Sequence, residues 1–272
     1  MPDASNFTSR YGPRALVAGA AVGLGAEYAR QIANRGLELV LVDRDEGPLR
    51  ATADAIRREC GVEVTAVALD LGRADLVEAL APVLGGSEIG LLVYNAALGT
   101  VAPFLDLDPA HMDAMLDVNC RGPMRLVRAL APAMVGRGRG GIILMSSMSG
   151  NVGSAQLAVY AATKAFDLVL CDALWAELHP RGVDVLAVQP GSTRTPGWLS
   201  SQKPGEAATG PMVMEPGEVV REALDALGGE ATVLIPGEMN RMGAAAIASL
   251  PRRQAIEMMS EITAKLVRND RR

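Results

Sequence analysis

Short, almost continuously apolar runs alternate along this chain with longer segments in which apolar residues recur at helical spacing. Strands are predicted at Arg14–Ala18, Glu38–Val42, Val62–Leu69, Ile89–Tyr94, Gly141–Met145, Val183–Gln189 and Ala231–Ile235. Helices are predicted at Leu24–Arg35, Glu46–Cys60, Arg73–Leu84, Pro109–Met134, Val159–Leu178 and Pro216–Leu227. The pattern therefore predicts an α/β fold with a doubly wound parallel sheet of about seven strands and helices on both faces.

A single domain is predicted for residues 1–272, because no change of composition divides the chain. Two segments depart from the regular alternation of strands and helices. Residues 195–215 are rich in proline, glycine and serine, which predicts a substrate lid loop. Residues 239–272 form a methionine-rich tail, predicted to be one or two helices interrupted before Pro251.

The composition excludes several classes of function. A formal net charge of −5 and 3% aromatic residues provide neither a basic surface nor stacking platforms for nucleic acid. The three cysteines are widely spaced and there are two histidines, so neither a disulfide framework nor a metal centre is predicted. The first residues lack the apolar stretch of a secretory signal. We therefore expect a cytoplasmic protein with no membrane segment.

A glycine-rich turn, with Gly19, Gly23, Leu24 and Gly25, joins the first predicted strand to the first predicted helix. Glycines at such a turn let backbone N–H groups approach a pyrophosphate, whose charge is also favoured at a helix N-terminus. Glycines gather in turns for conformational reasons alone. The position within the first strand–helix–strand unit nevertheless favours dinucleotide binding and a Rossmann-like fold over a purely structural turn.

Asp43 and Arg44 follow the second predicted strand, about twenty residues beyond the glycines. An aspartate there accepts hydrogen bonds from the adenosine ribose and repels a 2′-phosphate, whereas an arginine can pair with that phosphate. Since the carboxylate would lie directly at the ribose, we expect NAD as the cofactor, with NADP as the alternative. A solvated turn without any cofactor contact is the plainer interpretation.

Tyr160 and Lys164 lie four residues apart near the start of a predicted helix, so the phenol and the ammonium share one face. A tyrosine titrates at about 10 in isolation, and a nearby lysine, aided by an oxidised nicotinamide ring, favours the phenolate. Such a pair can take a proton from an alcohol and return it to a ketone.

Two further polar residues fit the same chemistry. Ser147 follows the fifth predicted strand, at the edge where open α/β sheets bind ligands, and can hold the substrate oxygen. Asn119, inside the fourth predicted helix, can bind a water that relays protons towards Lys164. The structural alternatives are a loop serine and an asparagine that faces solvent or bonds a nearby carbonyl.

Together these motifs resemble the simple, non-extended branch of the short-chain dehydrogenase/reductase family, over nearly the whole chain. They stand in the family's order: Gly19/Gly23/Gly25, Asp70-Leu71, Asn95-Ala96-Ala97, Asn119, Ser147, Tyr160/Lys164, and Pro190-Gly191 with Thr195. The resemblance implies an NAD(P)-dependent oxidoreductase that interconverts an alcohol and a ketone by hydride transfer. Its catalytic tetrad would be Asn119, Ser147, Tyr160 and Lys164, with Tyr160 as general acid and base.

The resemblance also implies further contacts with the cofactor. Asp70 and Leu71 would flank the adenine, and Asn95 with Ala96 would lie beside the cofactor. Lys164 would hold the nicotinamide ribose. The carboxamide would be contacted by the loop from Pro190 to Thr195, which includes Gly191 and Thr193.

The chain departs from the family's common pattern at a few positions. Ala18 stands where threonine is usual, Tyr94 and Ala97 replace the outer residues of an Asn-Asn-Ala-Gly motif, and Thr163 replaces a frequent serine. These changes affect the contacts that stabilise the local turns rather than the chemistry. The glycine spacing argues against the family's extended branch, which would need glycine at Val22.

A largely apolar substrate pocket is expected from the segments 98–102, 148–157 and 197–214. Its candidate lining residues are Met148, Gln156, Leu157 and Trp198, with Gln156 as a polar contact. A hydrophobic alcohol or ketone is therefore favoured over a sugar phosphate or a free acid. The resemblance further implies a homodimer or homotetramer assembled through the two long helices, Pro109–Met134 and Val159–Leu178.

Two rival functions follow from other classes of protein. A dinucleotide-sensing regulatory protein could keep the fold without turnover, but binding alone does not require Ser147, Tyr160 and Lys164 together. A serine hydrolase would need a Gly-x-Ser-x-Gly elbow, which Ser147 lacks.

Overall fold

The computed structural model describes residues 4–85, 88–201 and 212–266. Its strands are β1 (Arg14–Ala18), β2 (Glu38–Asp43), β3 (Val64–Ala68), β4 (Ile89–Tyr94), β5 (Gly140–Met145), β6 (Val183–Val188) and β7 (Val233–Leu234). Its α-helices are α1 (Ala4–Tyr11), α2 (Gly23–Asn34), α3 (Glu46–Cys60), α4 (Leu76–Leu84), α5 (Pro109–Leu116), α6 (Gly122–Arg137), α7 (Ala158–Leu178), α8 (Pro196–Ser201), α9 (Pro216–Ala226), α10 (Glu238–Ala248) and α11 (Arg252–Leu266).

The strands form one parallel sheet in the order β3-β2-β1-β4-β5-β6-β7. Strands β1, β4, β5 and β6 are buried at every position, because helices cover both faces of the sheet. Tyr28, Ile32 and Leu224 belong to the core under α1, α2, α3 and α9, whereas Leu80 and Leu126 belong to the core under α4, α6 and α7. The predicted fold class is confirmed.

The direction of winding reverses between β1 and β4, which are neighbours in the sheet although β2 and β3 separate them in sequence. The connections that leave the carboxyl ends of these two strands run to opposite sides. The crevice between them is where open α/β sheets bind their ligands. Ala18 and Tyr94 end the two strands, so the residues that follow them form the walls of this crevice.

The helix predicted from 109 to 134 is wrong as one continuous element. A π-helical turn, Asp117–Arg121, separates α5 from α6, and its closing backbone hydrogen bond spans five residues rather than four. Pro123 has no N–H to donate to the Asn119 carbonyl, so the α-helical pattern cannot continue through this turn. As a result Asn119 lies in an irregular turn, with 1% of its surface exposed.

Other differences from the prediction lie at the ends of elements. β7 contains two residues instead of the predicted 231–235, because it is an edge strand that pairs only with Ala187 and Val188. α4 begins at Leu76 rather than Arg73, since Arg73 and Asp75 form an ion pair in the preceding turn. α8 occupies the first part of the predicted lid loop, and residues 202–211 of that loop lie outside the described residues.

The amino-terminal helix α1 was not predicted, and it closes the amino-terminal end of the sheet. Phe7 and Tyr11 are buried in the core, and their rings meet edge to face with centroids 4.9 Å apart. The buried Asp184 carboxylate, at the start of β6, accepts hydrogen bonds from the Tyr11 hydroxyl at 2.7 Å and from the Arg10 guanidinium. These contacts attach α1 to the sheet at the end opposite the crevice.

Candidate active site

The glycine-rich turn has a backbone that few other residues could adopt. Gly19 and Gly23 have φ angles of +79° and +61°, in the left-handed region that favours glycine. A Cβ atom on Gly25 would lie 1.8 Å from the Gly19 carbonyl oxygen, so a side chain at this position does not fit. α2 begins at Gly23, which leaves the N–H groups of its first turn without helical partners. The turn therefore provides the close approach and partial positive charge that a pyrophosphate requires.

One cleft joins this turn to the carboxyl ends of β1, β2 and β4. The predicted cofactor residues in its wall are Gly19, Gly23, Leu24, Asp43, Arg44, Asp70, Leu71, Asn95, Ala96 and Thr195. The structure thus brings most of the predicted set to one place. An anion-binding turn at one end and a carboxylate beyond β2 form a set of groups that fits a dinucleotide.

Asp43 and Arg44 differ in how firmly they are held. The Asp43 carboxylate accepts hydrogen bonds from the backbone N–H groups of Ala21 at 2.9 Å and Asp45 at 3.2 Å. Arg44 is exposed, and its closest carboxylate oxygen belongs to Asp45 at 3.9 Å. The aspartate is therefore oriented in advance at the end of β2, whereas the guanidinium is free to move.

The segment after β4 is bonded to the glycine turn. Asn95 donates through its side-chain amide to the Gly19 carbonyl at 2.8 Å, and its backbone N–H donates to Ala18. The Ala18 carbonyl also accepts the Ala96 N–H, so the backbone braces this turn although the family's usual threonine is absent. In the turn after β3, Leu71 is buried while the exposed Asp70 accepts the N–H of Gly72 at 2.9 Å.

Tyr160 and Lys164 lie in the first two turns of α7. The Lys164 side chain is 3% exposed, and its ammonium lies 5.9 Å from the centre of the Tyr160 ring. Lys164 Nζ donates to the Met145 carbonyl at 2.7 Å and to the Asp167 carboxylate at 3.1 Å. These contacts fix the ammonium at the carboxyl end of β5, with a third N–H left for another acceptor.

Ser147 lies two residues beyond β5, next to a short 3₁₀ turn. Its Oγ accepts hydrogen bonds from the Ser149 N–H at 3.2 Å and the Ser149 hydroxyl at 2.9 Å. The neighbouring Ser146, which is buried, donates to the Lys164 carbonyl at 2.7 Å. The loop that carries Ser147 is therefore attached directly to the helix that carries Tyr160 and Lys164.

Asn119 is held by its neighbours through every polar atom of its side chain. Its Oδ1 accepts the Leu98 N–H at 2.7 Å, and its Nδ2 donates to the Leu98 carbonyl at 2.7 Å and to Thr163 Oγ1 at 3.0 Å. Gly99 follows directly, and a Cβ atom there would lie 3.0 Å from the Tyr160 ring. Asn119 thus positions the turn that packs against Tyr160.

The loop after β6 approaches the same region. The Pro190 carbonyl accepts the Met148 N–H at 3.2 Å, and the buried Thr193 pairs with Met214 as an isolated bridge. A Cβ atom on Gly191 would lie 2.8 Å from Oδ1 of Asn240. Asn240, on α10, is buried, and sequence reasoning missed it because no motif links this tail to the loop.

Two comparisons with known proteins bear on identity. A family model described as short chain dehydrogenase matches residues 13–204. The chain is 32% identical to the 7beta-hydroxysteroid dehydrogenase of Clostridium sardiniense, over 87% of this chain and 90% of that protein. The protein belongs to the short-chain dehydrogenase family. It is therefore an NAD(P)-dependent oxidoreductase, as the sequence motifs predict.

Solved structures agree with this assignment. A short-chain dehydrogenase from Sphingobium yanoikuyae, in complex with NADPH, matches with a TM-score of 0.76 and 35% identity, over 96% of this chain and 98% of that one. The bulky-bulky ketone specific alcohol dehydrogenase from Comamonas testosteroni matches with a TM-score of 0.74 and 30% identity, over 89% and 96% of the two chains. Among the described residues of this dehydrogenase, no helix has the length and apolarity needed to cross a membrane.

The four candidate substrate residues of the dehydrogenase are spread around the catalytic end. Met148 lines a cavity of about 610 Å³, with Val152, Ile247 and Met259 among the other lining residues. Leu157 directly precedes α7, Gln156 has a φ of +68°, and the backbone N–H of Trp198 donates to Thr195 Oγ1. The sequence did not indicate that α10 and α11 form much of this cavity, since their placement depends on tertiary packing.

Proposed function

We propose that this dehydrogenase interconverts a hydrophobic secondary alcohol and the corresponding ketone, with Tyr160 as general acid and base. The observation that carries the proposal is the placement of Lys164. Its ammonium is buried 5.9 Å from the Tyr160 ring and anchored to a main-chain carbonyl of β5. A fixed cation beside a half-buried phenol favours the phenolate, which is the form that accepts a proton from an alcohol.

A bound nicotinamide dinucleotide would supply the hydride acceptor or donor, held by the glycine turn, Asp43 and the third N–H of Lys164. In oxidation, Tyr160 takes the hydroxyl proton of the substrate, and Ser147 Oγ holds the substrate oxygen. Asn119 keeps the turn that contains Gly99 against the Tyr160 ring. The Asn119 carbonyl, to which Pro123 cannot donate, would hold a relay water. Reduction uses the same groups in reverse.

The proposed substrate class is supported by the cavity that Met148 lines and by the relatives. The lining of that cavity is mainly apolar, with Arg241 and Arg252 as its charged members, and Met148 is adjacent in sequence to Ser147. The names of two relatives specify a hydroxysteroid and bulky-bulky ketones. We therefore propose a bulky apolar alcohol or ketone in preference to a sugar phosphate or a short hydroxy acid.

The proposal is tested by following the absorbance of reduced cofactor with a panel of ketones and secondary alcohols and with both dinucleotides. Steroid and other bulky cyclic ketones should be reduced with higher kcat/KM than small polar ketones. Turnover only with polar substrates would contradict the substrate class. Tight dinucleotide binding without any turnover would instead support the regulatory protein considered above.

We further propose NAD as the preferred cofactor, because the Asp43 carboxylate is already oriented at the end of β2. Asp43→Ser should lower kcat/KM with NAD by about tenfold and raise the NADP-to-NAD ratio of kcat/KM by more, since repulsion of the 2′-phosphate is removed. Asp54→Ser, at an exposed carboxylate of α3 that does not line the cleft, is the matched control and should leave the ratio unchanged. A native protein that already prefers NADP would overturn this assignment.

A homodimer through α6 and α7 is proposed from the apolar side chains that these helices expose. Met124, Phe166 and Val169 are 46%, 36% and 69% exposed, which is a substantial apolar surface for two adjacent helices. Val169→Glu should shift the sedimentation coefficient towards that of a monomer. Ala51→Glu, on the exposed side of α3, should leave it unchanged. A native protein that sediments as a stable monomer would contradict the proposal.

A further inference from the structure

A buried carboxylate, Asp167, lies one helical turn after Lys164 in α7. Asp167 is 3% exposed, and its Oδ2 accepts a hydrogen bond from Lys164 Nζ at 3.1 Å. Its Oδ1 has no hydrogen-bond partner in the part of the chain that the structure describes. A buried carboxylate with one oxygen unsatisfied destabilises a fold. Stability therefore does not explain why an aspartate occupies this position.

The titratable groups that face Asp167 come from three elements. Lys164 and Cys171 belong to α7, Cys120 to the π-helical turn and Tyr94 to β4. Burial raises the pKa of the Cys120 thiol to about 11, and burial also raises the pKa values of Cys171 and Tyr94 above their ordinary values. These three groups are therefore neutral near pH 7, which leaves Lys164 as the charged partner among the groups named.

Lys164 is thus a single buried cation whose positive charge can be neutralised by either of two anions. The first is the Asp167 carboxylate, already in contact with Nζ. The second is the phenolate that forms when Tyr160 loses its proton. While Asp167 is ionised, a phenolate at Tyr160 adds a second negative charge around a single ammonium. Like charges in one poorly solvated site disfavour each other's ionisation.

We propose that Asp167 is a positioning residue that holds Lys164 and competes with the Tyr160 phenolate for its charge, so that Tyr160 keeps its proton to higher pH. The protonated phenol is the form that donates to a ketone. Asp167 would therefore favour carbonyl reduction near neutral pH and move rapid alcohol oxidation to more alkaline pH. This inference rests on the proposed role of Tyr160.

The ionisation of Asp167 sets the range in which this competition acts. Burial raises the pKa of its carboxyl to about 6, and the interactions with Lys164 offset part of that effect. Above about 6 the carboxylate is mainly ionised and competes for the ammonium. Below that value it gains a proton, and the competition is lost.

The test uses the protein without cofactor or substrate, because its tyrosines can be distinguished. Burial raises the pKa values of Tyr11, Tyr28 and Tyr94 well above the ordinary value, whereas Tyr160 is only partly buried. An alkaline titration of phenolate ultraviolet absorbance, with Tyr160→Phe as the blank, therefore reports Tyr160. In Asp167→Asn the midpoint should fall by about half a pH unit or more relative to the native protein. An unchanged or higher midpoint would overturn the inference.

Further variants distinguish the effect of the negative charge at Asp167 from the effect of the shape of its side chain. Asp167→Glu keeps the charge and should titrate close to the native midpoint. Asp172→Asn removes an exposed carboxylate from the same helix and should also leave the midpoint in place. If circular dichroism shows that Asp167→Asn is not native, Asp167→Ser provides a smaller neutral side chain. A midpoint that moves equally in the glutamate and asparagine variants would show a structural effect and reject the charge competition.

The pH dependence of turnover distinguishes this inference from the proposed function. With the best ketone and alcohol from the substrate panel, the pH profiles of reduction and oxidation in Asp167→Asn should move to lower pH by the same amount as the absorbance midpoint. Absence of turnover in the native protein would remove the proposed function, while the absorbance titration would still decide how Asp167 acts on Tyr160. Profiles that stay in place in an active variant would reject the role of Asp167 alone.

Discussion

Tyr160→Phe is expected to lower kcat by about a thousandfold while leaving dinucleotide affinity within about twofold of the native value. The phenol is the only titratable group that the proposed reaction uses to exchange a proton with the substrate. The ring itself packs against Gly99, and phenylalanine keeps that contact. The loss should therefore appear in the chemical step rather than in the fold or in cofactor binding.

The measurement combines steady-state kinetics with calorimetric titration of both dinucleotides. Tyr28→Phe is the matched control, because it removes a buried hydroxyl whose partner is the Met145 sulfur. That variant should retain nearly native kcat. Turnover by Tyr160→Phe at more than about a tenth of the native rate would refute the assigned role of the phenol.

Gly25→Ala is expected to weaken dinucleotide binding by about ten- to a hundredfold. The added methyl group would lie 1.8 Å from the Gly19 carbonyl oxygen and 2.7 Å from the Asn95 amide nitrogen. The Gly19 carbonyl is backbone and the Asn95 amide is hydrogen-bonded to it, so the turn itself must shift. Overpacking of this kind costs about 1–3 kcal/mol, which corresponds to the stated loss if it falls on the binding geometry.

Gly47→Ala is the control for this substitution, since nothing lies within 4 Å of a Cβ atom at that position in α3. It should bind the dinucleotide with native affinity and be at least as stable, because alanine is favoured over glycine in a helix. Titration of reduced cofactor by fluorescence measures both variants. Native affinity in Gly25→Ala would mean that the turn does not contact the cofactor.

The fold could be predicted from the sequence because its strands are buried on both faces. Such strands appear as uninterrupted apolar runs, and β1 and β4 have the predicted bounds for that reason. The edge strand β7 has one neighbour, so its length depends on pairing and not on its own composition. The π-helical turn was missed although Gly122-Pro123 carries a local signal, since proline cannot continue an α-helix without losing a hydrogen bond.

The candidate cofactor residues could be found because they follow strand ends, where topology brings them to one edge. The contacts of Gly99, Asp167 and Asn240 could not be predicted from the sequence in the same way. Lys164 and Asp167 have the spacing of an ordinary surface ion pair on a helix. Only the packing of α7 against the sheet makes that pair buried. The cavity near Ser147 depends likewise on helices α10 and α11, which no motif connects to it.

The region that the family model matches begins after the first helix of the folded protein. The matched region starts at residue 13, whereas α1 lies entirely before it. Removing α1 would take away two aromatic rings from beneath β4 and β5 and would leave the Asp184 carboxylate without its tyrosine and arginine donors. Every residue assigned to chemistry would survive such a truncation. The bounds of the family match alone would thus set the amino-terminal boundary too late to preserve the hydrophobic core.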